Sequence, residues 1–190
     1  MTVAVLTGVP GVGATTLAEH GLEELSERDV EYEVVSFGTV MLEVARDEGL
    51  VEERDEMRKL PSETQRDVQR QAGERISEMA EDANIMVDTH CTISTPEGYL
   101  PGLPKWVLDG LQPDVIVLVE ATADEILFRR LDDETRERDF EGTEEITEHQ
   151  EMNRAAAMSY ATLTGATVKT LENPDGGLEG SAEELADTLE

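Results

Sequence analysis

The sequence predicts an α/β protein in which helices cover a parallel β-sheet as a three-layer sandwich. Short β-branched segments alternate with segments of helical periodicity from one end of the chain to the other. Strands joined through crossover helices pair in parallel, so this alternation indicates a parallel sheet. Neither a repeat nor a linker divides the 190 residues, and we therefore expect one domain covering residues 1–190.

Five segments read as strands because they are short, rich in β-branched residues and bounded by turn formers. They are residues 2–7, 32–36, 85–87, 115–119 and 167–171. Helices are predicted from apolar residues recurring every three or four positions, as at Leu17, Ala18, Leu22 and Leu25. The predicted helices are residues 14–27, 39–47, 62–81, 104–111, 124–131, 144–163 and 182–189. Ser62 follows Pro61 and is expected to cap the third of them.

The charge balance is strongly acidic and limits the classes of partner. Forty-four Asp and Glu oppose 15 Lys and Arg, giving a net charge of −29. Such a chain repels nucleic acid and anionic membranes, so neither is expected as a partner. The acids are spread along the whole chain and lysine is scarce, which favours a protein of a salt-rich, halophilic archaeal cytoplasm, where the Debye length falls to roughly 3 Å at molar salt.

No membrane or secretion signal is evident. The longest apolar stretches, such as residues 115–119, are far shorter than a membrane span. The N-terminus enters the first strand without the pattern of a signal peptide, and Cys91 has no second cysteine to pair with. We therefore expect a cytoplasmic location.

A glycine-rich turn between the first strand and the first helix has the frame of a phosphate-binding loop. It runs through Gly8, Val9, Pro10, Gly11, Val12, Gly13, Ala14, Thr15 and Thr16. The glycines let backbone N–H groups surround phosphate oxygens, and the helix that follows directs its positive end at the same anion. Thr15 stands where a hydroxyl ligand of Mg²⁺ is expected, and Thr16 can reach a phosphate oxygen. Ala14, however, occupies the position of the usual lysine. The positive charge that neutralises the terminal phosphates must therefore come from another residue or be absent.

Arginines concentrate in one short segment of a chain with few basic residues. Arg129, Arg130, Arg136 and Arg138 fall within ten positions. Acidic neighbours could pair with them on a solvated surface, but arginines between two helices also suit a clamp over transferring phosphates. The missing lysine favours the clamp.

A second group of basic residues is spaced for two helical faces. Arg54 and Arg58 are four residues apart, as are Arg66 and Arg70. Like charges at this spacing repel slightly, and either a bound anion or acidic neighbours would compensate. We favour the anion for Arg54 and Arg58 and leave the choice open for Arg66 and Arg70.

Other candidates lie after the third predicted strand. Asp88, at the carboxyl end of that strand, is placed to hold Mg²⁺ through water. Residues 94–104 are rich in Pro and Gly and fit the wall of a substrate pocket, without an obvious catalytic group. Trp106 behind them is expected to pack rather than to stack on a base.

Together these motifs resemble the archaeal adenylate kinases, within the nucleoside monophosphate kinases. The resemblance covers essentially the whole chain and rests on the sequences GVPGVGATT, FGTVMLEVA, RDEMRKL, VDTH, TPEGYLPGLP, DETRERD and MNRAAAMSYATLTGATVK. It implies a P-loop kinase fold with five parallel strands, reversible transfer between ATP and AMP to give two ADP, Mg²⁺ with ATP, and a homo-oligomer, with a trimer typical of this branch.

The resemblance also implies roles for particular regions. Arg130, Arg136 and Arg138 match clamp arginines in a lid segment at about residues 132–143. Arg54 or Arg58 matches the cation for the monophosphate, in a binding region at about residues 37–75. Two alternatives remain open: a monophosphate kinase of another base specificity, and a catalytically silent nucleotide-binding regulator, which the absent lysine makes conceivable. A GTPase is disfavoured because Asp88 is not followed by its Gly motif and Asn173 lacks the neighbouring lysine.

Overall fold

The computed structural model of the protein describes residues 1–132 and 142–190. Fourteen regular elements and one short 3₁₀ helix follow one another in these ranges. They are β1 (Val3–Gly8), α1 (Ala14–Glu27), β2 (Tyr32–Ser36), α2 (Phe37–Asp47), the 3₁₀ helix (Arg54–Lys59), α3 (Ser62–Met79), β3 (Asn84–Thr89), β4 (Thr92–Thr95), β5 (Gly98–Pro101), α4 (Lys105–Leu111), β6 (Val115–Glu120), α5 (Ala123–Asp132), α6 (Thr143–Thr164), β7 (Thr167–Glu172) and α7 (Leu178–Leu189).

Five of the strands form one parallel sheet in the order β2-β3-β1-β6-β7. The first strand lies at its centre, with Leu6 beside Asp88 of β3 and Val117 of β6. The predicted α/β class with five parallel strands is therefore confirmed. Because β1 is central, its carboxyl end brings the glycine-rich turn to the middle of the sheet's edge.

Two hydrophobic cores lie on the two faces of this sheet. Side chains alternate along β1, so that Val3 and Val5 belong to one core and Ala4 and Leu6 to the other. Buried residues of α2, α3, α4 and α6 complete the first core, and those of α1, α5 and α7 contribute to the second. These two cores make the three-layer sandwich that the sequence predicts.

The structure also contains two elements that the sequence did not predict. Residues 92–101 form an antiparallel hairpin of β4 and β5, in a region where the sequence analysis predicted no helix or strand. Arg54–Lys59 forms the 3₁₀ helix, capped by Glu53 and Glu56. The predicted cap at Ser62 is wrong: Ser62 is the first residue of α3, Pro61 precedes it, and no side chain caps this helix.

Several predictions fall on residues outside the described ranges. They are Arg136, Arg138 and most of the lid segment at 132–143. Within the described ranges, no helix has both the length and the apolar composition needed to cross a membrane.

Candidate nucleotide-binding site

The glycine-rich turn closes tightly between β1 and α1. Gly13 has a φ of +86°, which side chains rarely allow, and an added Cβ would lie 2.7 Å from Asn173 Nδ2. At Gly8 a Cβ would lie 2.8 Å from the carbonyl oxygen of Val119. Gly13, the residue before α1, has no side chain to cap the helix, so among residues 1–132 and 142–190 no cap competes with an anion for its first N–H groups.

Arg129 and Asn173 bind the glycine-rich turn through hydrogen bonds to its backbone. The carbonyl oxygen of Val12 accepts hydrogen bonds from Arg129 Nη1 and from Asn173 Nδ2, each 2.9 Å long. Arg129 also donates from Nη2 to the carbonyl oxygen of Asn173 at 2.9 Å and pairs with Asp175 at 2.5 Å. The guanidinium therefore fastens the P-loop, α5 and the loop after β7 to one another.

Arg130 reaches the same turn at a different point. Its Nε donates a 2.7 Å hydrogen bond to the carbonyl oxygen of Pro10. Of the two neighbouring arginines, Arg129 lines the cavity described next and Arg130 does not. Arg130 thus contacts the P-loop through the loop's backbone, and its predicted part in a clamp over the phosphates stays a prediction.

A cavity of about 750 Å³ lies over the carboxyl edge of the sheet. One wall is the whole P-loop, residues 8–16, with Arg129. The rest of the lining comes from the β2–α2 junction, the 3₁₀ helix, α3, the end of β3 and the hairpin region, and consists of Ser36, Phe37, Gly38, Met41, Arg54, Gln69, Asp88, Thr89, His90, Ile93 and Gly102. The cavity therefore offers an anion-binding loop and, elsewhere in its lining, a second cationic group at Arg54.

Asp88 and Thr15 both line this cavity. Asp88 sits between Leu6 of β1 and Ser36 of β2, and burial raises the pKa of its carboxyl group above the ordinary 3.8. A carboxylate and a hydroxyl are oxygen ligands of the kind Mg²⁺ prefers. The described residues contain no cluster of three or more His, Cys, Asp or Glu that could hold a metal by themselves. The donor set thus fits an ion held mainly by phosphates and water.

Arg54 and Arg58 both lie on the 3₁₀ helix, but they occupy different places. Arg54 lines the main cavity and lies against Gly38, where an added Cβ would overlap its guanidinium. Arg58 lines a smaller adjoining cavity of about 190 Å³, which shares Arg54 and Met41 with the main one. Arg54 is therefore the arginine of the predicted pair that reaches the main cavity.

The second predicted pair, Arg66 and Arg70, has aromatic and acidic neighbours. Arg70 forms ion pairs with Glu74 at 2.8 Å and Asp67 at 3.9 Å on its own helix. The guanidinium of Arg66 lies 4.9 Å from the centre of the Trp106 ring. Neither arginine lines the main cavity, so the open choice is decided in favour of local partners.

Sequence analysis did not predict that Asn173 contacts the P-loop, that Gln69 lines the cavity or that residues 92–101 form a hairpin. The hairpin is docked on α6, because Asn153 Oδ1 accepts from the backbone N–H of Thr92 at 3.1 Å and the Tyr160 hydroxyl donates to the carbonyl of Cys91 at 2.8 Å. This docking brings Ile93 into the cavity wall. The predicted pocket wall at 94–104 is represented among the lining residues by Gly102. No local pattern marks Gln69 or Asn173, because each acts through a partner far away in sequence.

Several curated proteins resemble the chain over its full length. It is 60% identical over 187 residues to an adenylate kinase of Methanocaldococcus jannaschii, covering 98% of this chain and 97% of that protein. It is 60% identical over 189 residues to an adenylate kinase of Methanopyrus kandleri, with 98% and 97% covered. An adenylate kinase of Methanothermobacter thermautotrophicus is 55% identical over 190 residues, with both chains fully covered.

A family profile and solved structures agree on the fold. The profile of a family described as an AAA domain matches residues 7–147. A shikimate kinase from Bacteroides thetaiotaomicron superimposes with a TM-score of 0.53 at 19% identity, covering 99% of this chain and 98% of that one. A gluconokinase from Sinorhizobium meliloti gives 0.50 at 12% identity, covering 99% and 92%. The predicted P-loop kinase fold is therefore confirmed.

Proposed function

This chain belongs to the adenylate kinase family and is a phosphotransferase of that kind, and we propose that it joins ATP and AMP in the cavity of about 750 Å³. The reaction is the reversible transfer of a phosphoryl group from ATP to AMP, giving two ADP. The observation that carries this assignment to a site is that the P-loop and Arg54 face one common cavity. A donor and an acceptor nucleotide bound on those two walls would have their phosphates adjacent.

The P-loop side is the donor site in this proposal. Backbone N–H groups from Gly11 to Thr16 and the uncapped start of α1 would hold the phosphates of ATP. Ala14 supplies no positive charge to the terminal phosphates, as the usual lysine would. We assign that charge to the arginine clamp of Arg130, Arg136 and Arg138, of which Arg130 already contacts Pro10 of the loop.

Thr15 and Asp88 are the residues that would hold Mg²⁺, Thr15 directly and Asp88 through water. The ion, when bound, neutralises charge on the transferring phosphates and fixes their geometry. Asp88 is half-buried, and burial raises the pKa of its carboxyl group, so the charged form carries a desolvation cost. A desolvated carboxylate gains most from a nearby cation, which supports this assignment.

The part of the lining around Arg54 is the acceptor site in this proposal, within a monophosphate-binding region at about residues 37–75. Arg54 would bind the phosphate of AMP, and Arg58 in the adjoining cavity would add positive potential. Since both substrates are anions, catalysis is positioning and charge neutralisation without a covalent intermediate. A lid segment at about residues 132–143, carrying Arg136 and Arg138, would exclude water and limit hydrolysis.

The net charge of −29 supports a salt-rich cytoplasm as the working environment. Dilute buffer leaves the acidic surface unscreened, and self-repulsion then destabilises the compact state.

We also propose that the protein is a homo-oligomer, a trimer as in this branch of the family.

The test is a coupled assay of ADP formation from Mg-ATP and a panel of nucleoside monophosphates, in molar KCl and in dilute buffer. We expect rapid transfer to AMP in KCl and loss of activity in dilute buffer. Transfer to another monophosphate in preference to AMP would overturn the assignment of the acceptor. ATP binding without transfer to any monophosphate would make the chain a silent regulator. Full activity in dilute buffer would contradict the proposed environment.

A further inference from the structure

Gln69 lies in the acceptor wall of the main cavity, and its side-chain amide is held by Trp106. Gln69 belongs to α3 and Trp106 to α4, and both are half-buried. The indole Nε1 donates a 2.9 Å hydrogen bond to Gln69 Oε1. Because an indole N–H can only donate, its partner must be the amide oxygen, and this sets which end of the amide faces Trp106.

Trp106 is itself held in place by its surroundings. The Arg66 guanidinium lies 4.9 Å from the centre of its ring. The helices α3 and α4 approach closely at two glycines: a Cβ on Gly73 would lie 3.0 Å from the carbonyl oxygen of Val107, and a Cβ on Gly110 would lie 3.0 Å from the backbone nitrogen of Glu74. The Trp106–Gln69 pair therefore bridges two tightly packed helices.

The remaining hydrogen-bonding capacity of Gln69 is defined by this bond. Oε1 keeps one lone pair, and Nε2 keeps two hydrogens that take part in no hydrogen bond with residues 1–132 or 142–190. Gln69 thus offers its amide N–H donors and one acceptor, and the Trp106 bond fixes which end of the amide carries the acceptor. Arg54 supplies positive charge for the phosphate in the same wall, so a neutral donor and acceptor pair suits the base of the acceptor nucleotide.

We propose that Gln69, oriented by Trp106, selects acceptor monophosphates by the hydrogen-bonding edge of the base. An amide presenting oxygen and N–H together matches a base with an amino group beside an unprotonated ring nitrogen, as in adenine. Hypoxanthine, guanine and uracil present an oxo group beside a ring N–H instead. This inference rests on the proposed function, because it assumes that the acceptor nucleotide binds on this wall.

An oxo base could be matched only if the amide turned by 180°. That rotation would point Nε2 at the indole N–H of Trp106, so that two donors would face each other and the Trp106–Gln69 bond would be lost. Discrimination that leaves a buried polar group unpaired typically reaches about 10- to 100-fold for one such bond. Trp106 is therefore a positioning residue for the specificity of Gln69.

AMP and IMP form the matched pair of acceptors for testing this inference. They differ only in that IMP has an oxo group and an N–H where AMP has an amino group and a bare ring nitrogen. We expect the wild-type kcat/KM to favour AMP by at least tenfold. Trp106→Phe keeps an aromatic ring but removes the donor, and it is expected to reduce that preference several-fold, mainly by improving IMP. Lys105→Gln changes the exposed neighbour of Trp106, which pairs with Asp109 on its own helix, and should leave the preference unchanged.

A second variant keeps the inference testable if Trp106→Phe does not fold by circular dichroism. Gln69→Glu replaces the donor by a second acceptor, and is expected to lower kcat/KM for AMP and to shift the ratio toward IMP. Trp106 is the only tryptophan of the chain, so its fluorescence should also change when AMP alone is titrated into the wild type.

The outcomes separate this inference from the function on which it rests. Transfer to AMP by the wild type, with the same AMP:IMP ratio in folded Trp106→Phe and in Gln69→Glu, would overturn the inference and leave the proposed function standing. An unchanged ratio in Gln69→Glu alone would remove Gln69 from the base site. Wild-type protein that transfers to neither acceptor would overturn the proposed function and the inference with it.

Discussion

Replacing Arg129 by Met tests whether this arginine fastens the P-loop. Met keeps the aliphatic part of the side chain, which as a whole is 23% exposed in Arg129, and removes the guanidinium. The hydrogen bonds to the carbonyl oxygens of Val12 and Asn173, both 2.9 Å long, are lost together with the ion pair to Asp175. The P-loop would then depend on Asn173 Nδ2 for its side-chain contact at Val12.

The size of the effect follows from these bonds. A hydrogen bond from a charged donor contributes about 1.5–3 kcal/mol, and the lower value applies here because the Val12 oxygen keeps its bond from Asn173. The exposed ion pair to Asp175 contributes less than about 1 kcal/mol. We expect a loss of about 3 kcal/mol in the free energy of unfolding, which corresponds to roughly 6–12 °C in Tm for a domain of this size.

The assay is denaturant unfolding in molar KCl, together with KM for ATP and for AMP. Arg75→Met is the matched control, because Arg75 makes a 2.8 Å ion pair with Asp47 on the exposed surface and should cost less than about 1 kcal/mol. Since Arg129 holds the donor loop, we expect KM for ATP to rise several-fold and KM for AMP to change little. A loss of stability no larger than that of the control, or equal changes in both KM values, would refute this reasoning.

Three further predictions concern the clamp, the pH dependence and the P-loop glycine. Arg138→Ala should lower turnover by orders of magnitude with an unchanged urea midpoint, and wild-type turnover would remove Arg138 from the mechanism. Hydrogen bonds led by that from the Thr122 hydroxyl lower the pKa of Glu125 to about 2 from its ordinary 4.5; Glu125→Gln should therefore destabilise the protein at pH 6, with the difference in urea midpoint shrinking as pH falls from 4.5 towards 2, and a constant difference would contradict this. Gly13→Ala forces a Cβ against Asn173 at a φ of +86° and should cost about 1–3 kcal/mol in thermal unfolding and weaken ATP binding; wild-type stability and ATP affinity in this variant would contradict the prediction.

Elements with a strong local pattern were predicted well. The predicted bounds of the parallel strands and their crossover helices agree with the structure to within a few residues at most ends. Periodic burial along an element produces a periodic pattern of apolar residues in the sequence, which can be detected locally. The hairpin of β4 and β5 was missed since its strands are only four residues long and the second begins with Gly98 and ends with Pro101. Its position depends on Asn153 and Tyr160 of α6, more than 50 residues away.

The candidate site divides in the same way. The P-loop and Asp88 were found from the sequence, since a glycine frame after a strand and an acid at a strand end are local signals. The two arginines at 129 and 130 are neighbours in sequence, yet one ties three elements together and lines the cavity while the other contacts Pro10. Their separate roles depend on where α5 meets the P-loop, about 120 residues earlier in the chain.

The sequence by itself determined the α/β fold, the phosphate-binding loop and the resemblance to archaeal adenylate kinases, because all of these are written in consecutive residues. Tertiary structure alone decided that Arg54 rather than Arg58 reaches the main cavity, that Arg66 rests on Trp106, and that Trp106 orients Gln69. These are contacts between side chains on different helices. Their geometry depends on how closely the helices pack, as at Gly73 and Gly110. The spacing of residues in the sequence does not determine the distance between two helices.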